Sequence, residues 1–94
     1  MTTTPMTDAE ILALDRESVG FYWGPTGDTS LGPNRPAETL AVLAGQLLRY
    51  ERDIREERGA PDCNNTVAER MEREAAQLRA LIPRWQRLVE QRGA

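Results

Sequence analysis

The sequence contains no lysine and no histidine, and these two absences exclude several kinds of chemistry. Without histidine, no imidazole can act as a general base or as a metal ligand near neutral pH. Without lysine, no side-chain amine can form a Schiff base or hold a phosphate in a phosphate-binding loop. The twelve basic residues are all arginines, which stay charged at any physiological pH.

Cysteine and large apolar residues are also scarce. The single cysteine, Cys63, excludes an internal disulfide and suits a reducing compartment. Leu, Ile, Val and Phe together make up only 18 of the 94 residues. A monomer with so little apolar side chain would be marginally stable, so we expect a homo-oligomer, a dimer or a larger assembly.

Membrane and nucleic-acid functions are not indicated by the composition. No apolar run approaches about 18 residues, and residues 1–5 do not resemble a signal peptide, so we expect a cytoplasmic protein that does not enter a membrane. The net charge of −3 argues against DNA or RNA as a partner. The use of arginine without lysine suggests a GC-rich genome, such as that of an actinobacterium or of one of its phages.

Capping and turn signals predict one all-α domain with three helices. Residues 1–6 form a predicted tail, and the Thr7/Glu10 capping box starts a short helix over residues 7–17. Glycine and proline then punctuate residues 18–35, which predicts an irregular arm.

Two long helices follow the predicted arm. Pro36 starts one over residues 36–58, and Thr66 with Glu69 offers a capping box for another over residues 66–92. We expect Pro83 to kink or restart the last helix. A short turn between two helices of similar length predicts an antiparallel helical hairpin, completed by oligomerisation.

A seven-residue apolar repeat runs along both long helices and predicts the seam through which the hairpin and its oligomer pack. Its members are Leu40, Leu43, Leu47, Tyr50, Ile54, Met71, Leu78, Leu81, Trp85 and Leu88. Glu74 interrupts the repeat, so it either sets the register of the helices or extends to solvent.

Candidate binding residues lie in the arm and at the start of the hairpin; we expect no catalytic residue, no metal site and no cofactor. Phe21, Tyr22 and Trp23 could stack on a ligand or hold the arm against the hairpin. We favour the packing role for Phe21 and Trp23 and the contact role for Tyr22. Arg35 and Arg49 could bind an anion.

Charge is distributed unevenly along the chain. Residues 1–35 carry the whole net charge of −3, whereas residues 36–94 carry ten acidic residues and ten arginines. We therefore expect the arginines that recur from Arg49 to Arg58 to lie on a solvated face, paired with acids four residues away such as Glu51 with Arg55.

The layout resembles that of the phage anti-CBASS cyclic-nucleotide sponges, which have a short first helix, an aromatic arm with proline and a helical hairpin. The matching residues are Phe21-Tyr22-Trp23-Gly24-Pro25 and the turn Pro61-Asp62-Cys63, where the family often has Cys-Pro-Asp. The resemblance implies an oligomer that traps cyclic di- or trinucleotides without cleaving them. The family usually includes a lysine in its site; here only an arginine such as Arg35 could take that role.

Two functions follow as expectations. The first is a small non-catalytic binding protein of phage or actinobacterial origin that occupies a protein partner as an inhibitor or adaptor. The alternative is a counter-defence sponge that sequesters a small anionic nucleotide at subunit junctions, with Tyr22 stacking on a base and Arg35 or Arg49 binding phosphate.

Overall fold

The computed structural model describes residues 5–22, 31–62 and 64–92. In these residues the chain forms three helices, α1 (Asp8–Tyr22), α2 (Pro36–Gly59) and α3 (Asn65–Arg92), and no strand. The predicted all-α class and the hairpin of two long helices are therefore confirmed for the described part of the chain. Trp23 and Cys63 lie outside the described residues.

The start of α1 follows the predicted capping box. The backbone N–H of Glu10 donates to Thr7 Oγ1, and the backbone N–H of Thr7 donates to Glu10 Oε1, both over 3.2 Å. Each side chain thus satisfies a backbone donor of the other residue. Just before the helix, Met6 is buried beside Ile11, and its backbone N–H donates to Gln91 Oε1 over 2.6 Å.

The end of α1 differs from the prediction. Residues 18–22, assigned to the irregular arm, instead continue the helix to Tyr22. A buried stripe at helical spacing runs along α1 and consists of Ile11, Leu14, Ser18 and Tyr22. The sequence pattern does not reveal this stripe, because Ser18 is polar. Gly20 costs the helix about 1 kcal/mol, which the burial of Tyr22 outweighs.

A tight turn over residues 31–35 leads into α2. The backbone N–H of Arg35 donates to the Gly32 carbonyl over 2.9 Å, and Gly32 has a φ of +135°, which favours glycine. The fully buried Thr39 accepts the backbone N–H of Gly32 over 2.8 Å. Thr39 lies in the first turn of α2, so its hydroxyl attaches the 31–35 turn to the start of that helix.

The turn between α2 and α3 has a different cap from the predicted one. Asn64, rather than Thr66 with Glu69, caps α3, because Asn64 Oδ1 accepts the backbone N–H of Thr66 over 3.0 Å and that of Val67 over 3.3 Å. Asn64 also donates its backbone N–H to Glu57 Oε1 over 2.7 Å, which ties the turn to α2.

Pro83 does not restart the last helix, since α3 runs unbroken from Asn65 to Arg92. A proline removes one backbone hydrogen bond, here to the carbonyl of Arg79. Arg79 and Pro83 are both exposed, so water can reach that carbonyl. Leu81 and Trp85 are buried on either side of the proline and hold both halves of the helix in the core.

Two ion pairs report the antiparallel register of the hairpin. Arg79 lies 3.5 Å from Glu51, and Arg58 lies 2.7 Å from Glu72. From the first pair to the second, the residue number rises by seven on α2 and falls by seven on α3, as antiparallel helices require. Glu51 is thus paired across the hairpin, whereas the sequence predicted a partner along α2. Exposed pairs of this kind contribute at most about 1 kcal/mol each, so packing rather than charge fixes the hairpin.

One core joins all three helices. Its buried members are Met6, Ile11, Leu14, Tyr22, Leu43, Leu78, Leu81, Trp85 and Leu88. Five residues of the predicted seam belong to this buried core, and Leu40, Leu47 and Tyr50 pack against it partly buried. Of the other two, Ile54 is buried and Met71 is half-buried.

Helix α1 covers only part of the hairpin. It is about 22 Å long against about 42 Å for α3. It crosses the carboxyl-terminal half of α3, where Arg84 lies 2.8 Å from Glu17 and the Trp85 indole N–H donates to Ser18 Oγ over 2.8 Å. The half of the hairpin nearest its turn therefore extends beyond α1.

We expect Ser18→Ala to lower the free energy of unfolding by about 1–3 kcal/mol, because it leaves the buried Trp85 indole N–H without its acceptor. Urea denaturation measures the change. In a Trp85→Phe background the same substitution should cost much less, since no indole donor remains. An equal cost in both backgrounds would show that this hydrogen bond does not attach α1.

Candidate interaction surfaces

Tyr22 belongs to the core and not to an exposed arm. Its ring is 4% exposed and meets the Trp85 ring edge to face, with centroids 6.4 Å apart. Its hydroxyl donates to Asp15 Oδ1. Burial, followed by the hydrogen bond to Asp15, raises the pKa of Tyr22. In this structure the Tyr22 ring is enclosed by the protein's own side chains, so its position matches the packing role rather than the contact role considered for the aromatic residues.

The other aromatic and basic candidates do not converge on one site. Phe21 is half-buried, and its carbonyl accepts Gln46 Nε2 over 3.4 Å. The exposed side chain of Arg35 forms an ion pair with Glu38. Arg49 is exposed on α2, fourteen residues beyond Arg35, which places their backbones about 20 Å apart. Within one chain, Arg35 and Arg49 therefore lie on separate parts of the surface.

Glu74, the polar interruption of the seam, pairs across the hairpin with Tyr50. Burial, and next a hydrogen bond from the Tyr50 hydroxyl to Glu74, raise the pKa of Tyr50 to about 12, while the charge of Arg70 acts in the opposite direction. The half-buried Glu74 therefore has a partner at the level of the seam, which favours the register role over simple exposure to solvent. Tyr50 and Glu74 occupy repeat positions on α2 and α3, but the sequence does not show that they are opposite each other, because that depends on how the two helices are aligned.

The side of α1 that faces away from the hairpin is the first surface with the properties of an interface. We call it the outer face; it consists of the exposed residues Ala9, Leu12, Ala13, Arg16 and Gly20. Helical geometry places Asp8 and Asp15 along one edge of this face and Glu10 and Glu17 along the other. Leu12, on the side of this face next to Asp8 and Asp15, is 52% exposed, and Arg16 lies along the middle of the face. The outer face is thus a narrow strip of small and apolar residues with one arginine, between two acidic edges.

The second surface is the side of the hairpin opposite α1, which we call the open face. Gln46 reaches α1, whereas Leu48 points to the other side of α2, because residues two apart on a helix differ in direction by about 200°. A groove of about 620 Å³ lies there, lined by Leu48, Glu51, Ile54, Arg55, Glu72 and Arg79. Leu48 is 69% exposed.

A smaller hollow of about 250 Å³ lies between α1 and α3, lined by Glu17, Gln77, Ala80, Leu81 and Arg84. The ion pair of Glu17 with Arg84 spans it. The hydrogen bond from Arg84 lowers the pKa of Glu17, since it stabilises the carboxylate. The two charged groups that line this hollow are already paired with each other, so it offers a ligand no uncompensated charge.

The sequence analysis did not delimit either surface, although the position of Leu48 pointed to the open face. Leu48 directly follows Leu47, so it falls one residue off the seven-residue repeat and outside the core. The acidic character of the first helix was anticipated, but its outer face could not be delimited while the helix was expected to end at Glu17.

Neither a membrane helix nor a metal cluster is found in the described ranges. None of the three helices is long and apolar enough to cross a membrane. No group of three or more acidic or cysteine side chains in residues 5–22, 31–62 and 64–92 is placed to hold a metal ion.

Comparisons with known proteins give no relative of this chain: no family model, no curated protein and no solved structure matches it.

The chain has only two tyrosines, Tyr22 and Tyr50, and both have raised pKa values. The folded state favours the protonated form of both tyrosines, so they contribute to the free energy of unfolding. That contribution is complete below the unfolded pKa of about 10 and is lost as the pH rises above it, through about 12 for Tyr50. We expect ultraviolet phenolate absorbance at about pH 10 to be near zero in the native protein and half-maximal in urea. Native titration centred near pH 10 would contradict the burial of both hydroxyls.

Proposed function

We propose that this chain is a small non-catalytic binding protein, of phage or actinobacterial origin, that works as a homo-oligomer and acts by occupying a protein partner as an inhibitor or adaptor. The observation that carries the proposal is the outer face of α1, where an exposed leucine lies between two acidic edges. Such a surface complements a partner with an apolar contact point flanked by Arg or Lys.

Charge supports α1 as the partner-binding element. Residues 5–22 carry four acidic residues and only Arg16, whereas residues 31–92 carry ten acidic residues and eleven arginines. The negative potential of the described chain is therefore concentrated on one helix. A concentrated potential steers a basic partner toward that helix and speeds association.

The attachment of α1 also supports the proposal, because a rigid surface loses less entropy on binding. The helix is held at both ends, by Met6 and Gln91 near its start and by Ser18 and Trp85 near its end. The ion pair of Glu17 with Arg84 adds a third attachment. The outer face is therefore presented in one orientation before any partner arrives.

Nucleotide sequestration receives less support from the same geometry. Tyr22 is enclosed in the core, and Arg35 and Arg49 lie about 20 Å apart. The arginines at the groove of the open face are accompanied by Glu51 and Glu72, so no excess of positive charge faces a phosphate there. We therefore place the protein partner first.

Capture of a partner from an actinobacterial lysate tests the proposal with a matched pair of variants. Ala13→Arg places a bulky cation on the outer face, and Thr66→Arg adds the same cation at an exposed residue of α3 that lies about 120° around the helix from Glu72. We expect the parent chain and Thr66→Arg to retain one stoichiometric protein and Ala13→Arg to lose it. Capture should also weaken when salt rises from about 0.1 M to about 1 M, as the Debye length falls from about 10 Å to about 3 Å.

Capture that survives Ala13→Arg would remove the outer face of α1 from the function. A thermal-shift experiment provides the second contradicting outcome. A rise in Tm of several degrees with a cyclic di- or trinucleotide, and with no other nucleotide, would favour the sponge function instead.

A further inference from the structure

We infer that a second copy of this chain docks on the open face of the hairpin, giving a two-fold dimer with Leu48 near the centre of the interface. This inference rests on the homo-oligomer part of the proposed function and names the surface that produces it. It is independent of the partner that the outer face of α1 binds, since the two faces lie on opposite sides of the molecule.

Helix α2 carries a second seven-residue repeat, displaced by one residue from the seam. Ala41, Ala44, Leu48, Glu51 and Arg55 follow one another at spacings of three and four. The seam residues one position earlier pack against α3 and α1, so the second repeat lies along the open face. A helix with two such adjacent stripes can pack against neighbours on two sides at once.

The first half of the second repeat has the side chains that a close helix–helix contact needs. Ala41 is exposed and Ala44 is half-exposed, and their small side chains allow another helix to approach closely. Leu48 projects beyond them and is 69% exposed. In the described chain two large hydrophobic residues are exposed, Leu12 and Leu48, and Leu48 is the more exposed. Burying a leucine of this kind contributes a favourable hydrophobic term to association.

Charge selects a second copy as the occupant of this face. The groove beside Leu48 carries Glu51 and Glu72 together with Arg55 and Arg79, so its formal charge is zero. A two-fold axis brings a surface against its own copy, and a surface of one sign would repel itself. On the open face Glu51 and Glu72 are already paired with Arg79 and Arg58 across the hairpin, so this face presents no net charge that would repel its copy. The outer face of α1, with its two acidic edges, would repel its copy.

The available area is sufficient for a dimer. Ala37 and Arg58, both exposed, continue the spacing of the second repeat at its two ends, so the extended repeat is about 32 Å long, and two adjacent helices present a width of about 20 Å. Full contact would cover about 600 Å² on each copy, or about 1,200 Å² in total, which is the lower end of the range for stable interfaces. Because α1 lies behind the hairpin, such a dimer leaves both outer faces accessible on opposite sides.

Light scattering of the full chain after gel filtration, at tens of micromolar, tests the inference with two matched substitutions. We expect the parent chain to have twice the chain mass of 10.6 kDa. Leu48→Glu should raise the dimer dissociation constant by at least about 30-fold, the effect of a hot-spot residue, and give the monomer mass. Leu12→Glu makes the same change at the exposed leucine of α1 and should leave the dimer intact.

Circular dichroism establishes that each variant is folded, and Ala41→Glu takes the place of Leu48→Glu if that variant does not fold. A parent chain of monomer mass would overturn both the inference and the homo-oligomer part of the proposed function. A dimer that survives Leu48→Glu, or that Leu12→Glu disrupts, would overturn the docking face alone and leave the homo-oligomer standing. Partner capture that depends on Ala13 is a separate readout that none of these results changes.

Discussion

The hydrogen bond from the Trp85 indole to Ser18 is the interaction on which the rest of the structure depends. Trp85 is fully buried, and Ser18 in turn donates to the Leu14 carbonyl over 2.7 Å, so one relay connects α3 to the backbone of α1. A buried indole N–H without an acceptor would be costly, and within the described residues Ser18 of α1 supplies the acceptor. The largest core side chain therefore fixes where the shortest helix must lie.

Placing α1 on one side of the hairpin gives the molecule two different remaining surfaces. The outer face of α1 lies between the acidic residues that carry the excess negative charge of the described chain, and the open face of the hairpin is neutral with an exposed leucine. We propose different partners for them on the same charge argument: acidic edges attract a basic partner, whereas a neutral face of mixed charge can meet its own copy. Binding and assembly can then proceed without competing for one surface.

Much of the fold could be predicted, because it is encoded in local patterns. The seven-residue repeat predicted the hairpin, and the Thr7/Glu10 box predicted the start of α1. The end of α1 could not be read from the pattern, since Ser18 is polar and Gly20 is a poor helix former, and only the partner Trp85 explains the burial of Ser18. The positions of the candidate site residues depended on features that no local pattern shows. The burial of Tyr22 follows from the extension of α1 beyond Glu17, and the pairing of Tyr50 with Glu74 depends on a register that only packing sets.

The central claim is that α1 is locked onto the hairpin as part of one cooperative core. Native-state hydrogen exchange tests it most directly, by comparing the helical amides of α1 around Ser18 with those of α3 around Trp85. The account predicts that both sets open only in global unfolding and exchange with the same opening free energy. Amides of α1 that exchange by an independent, lower-energy opening while α3 stays protected would contradict it.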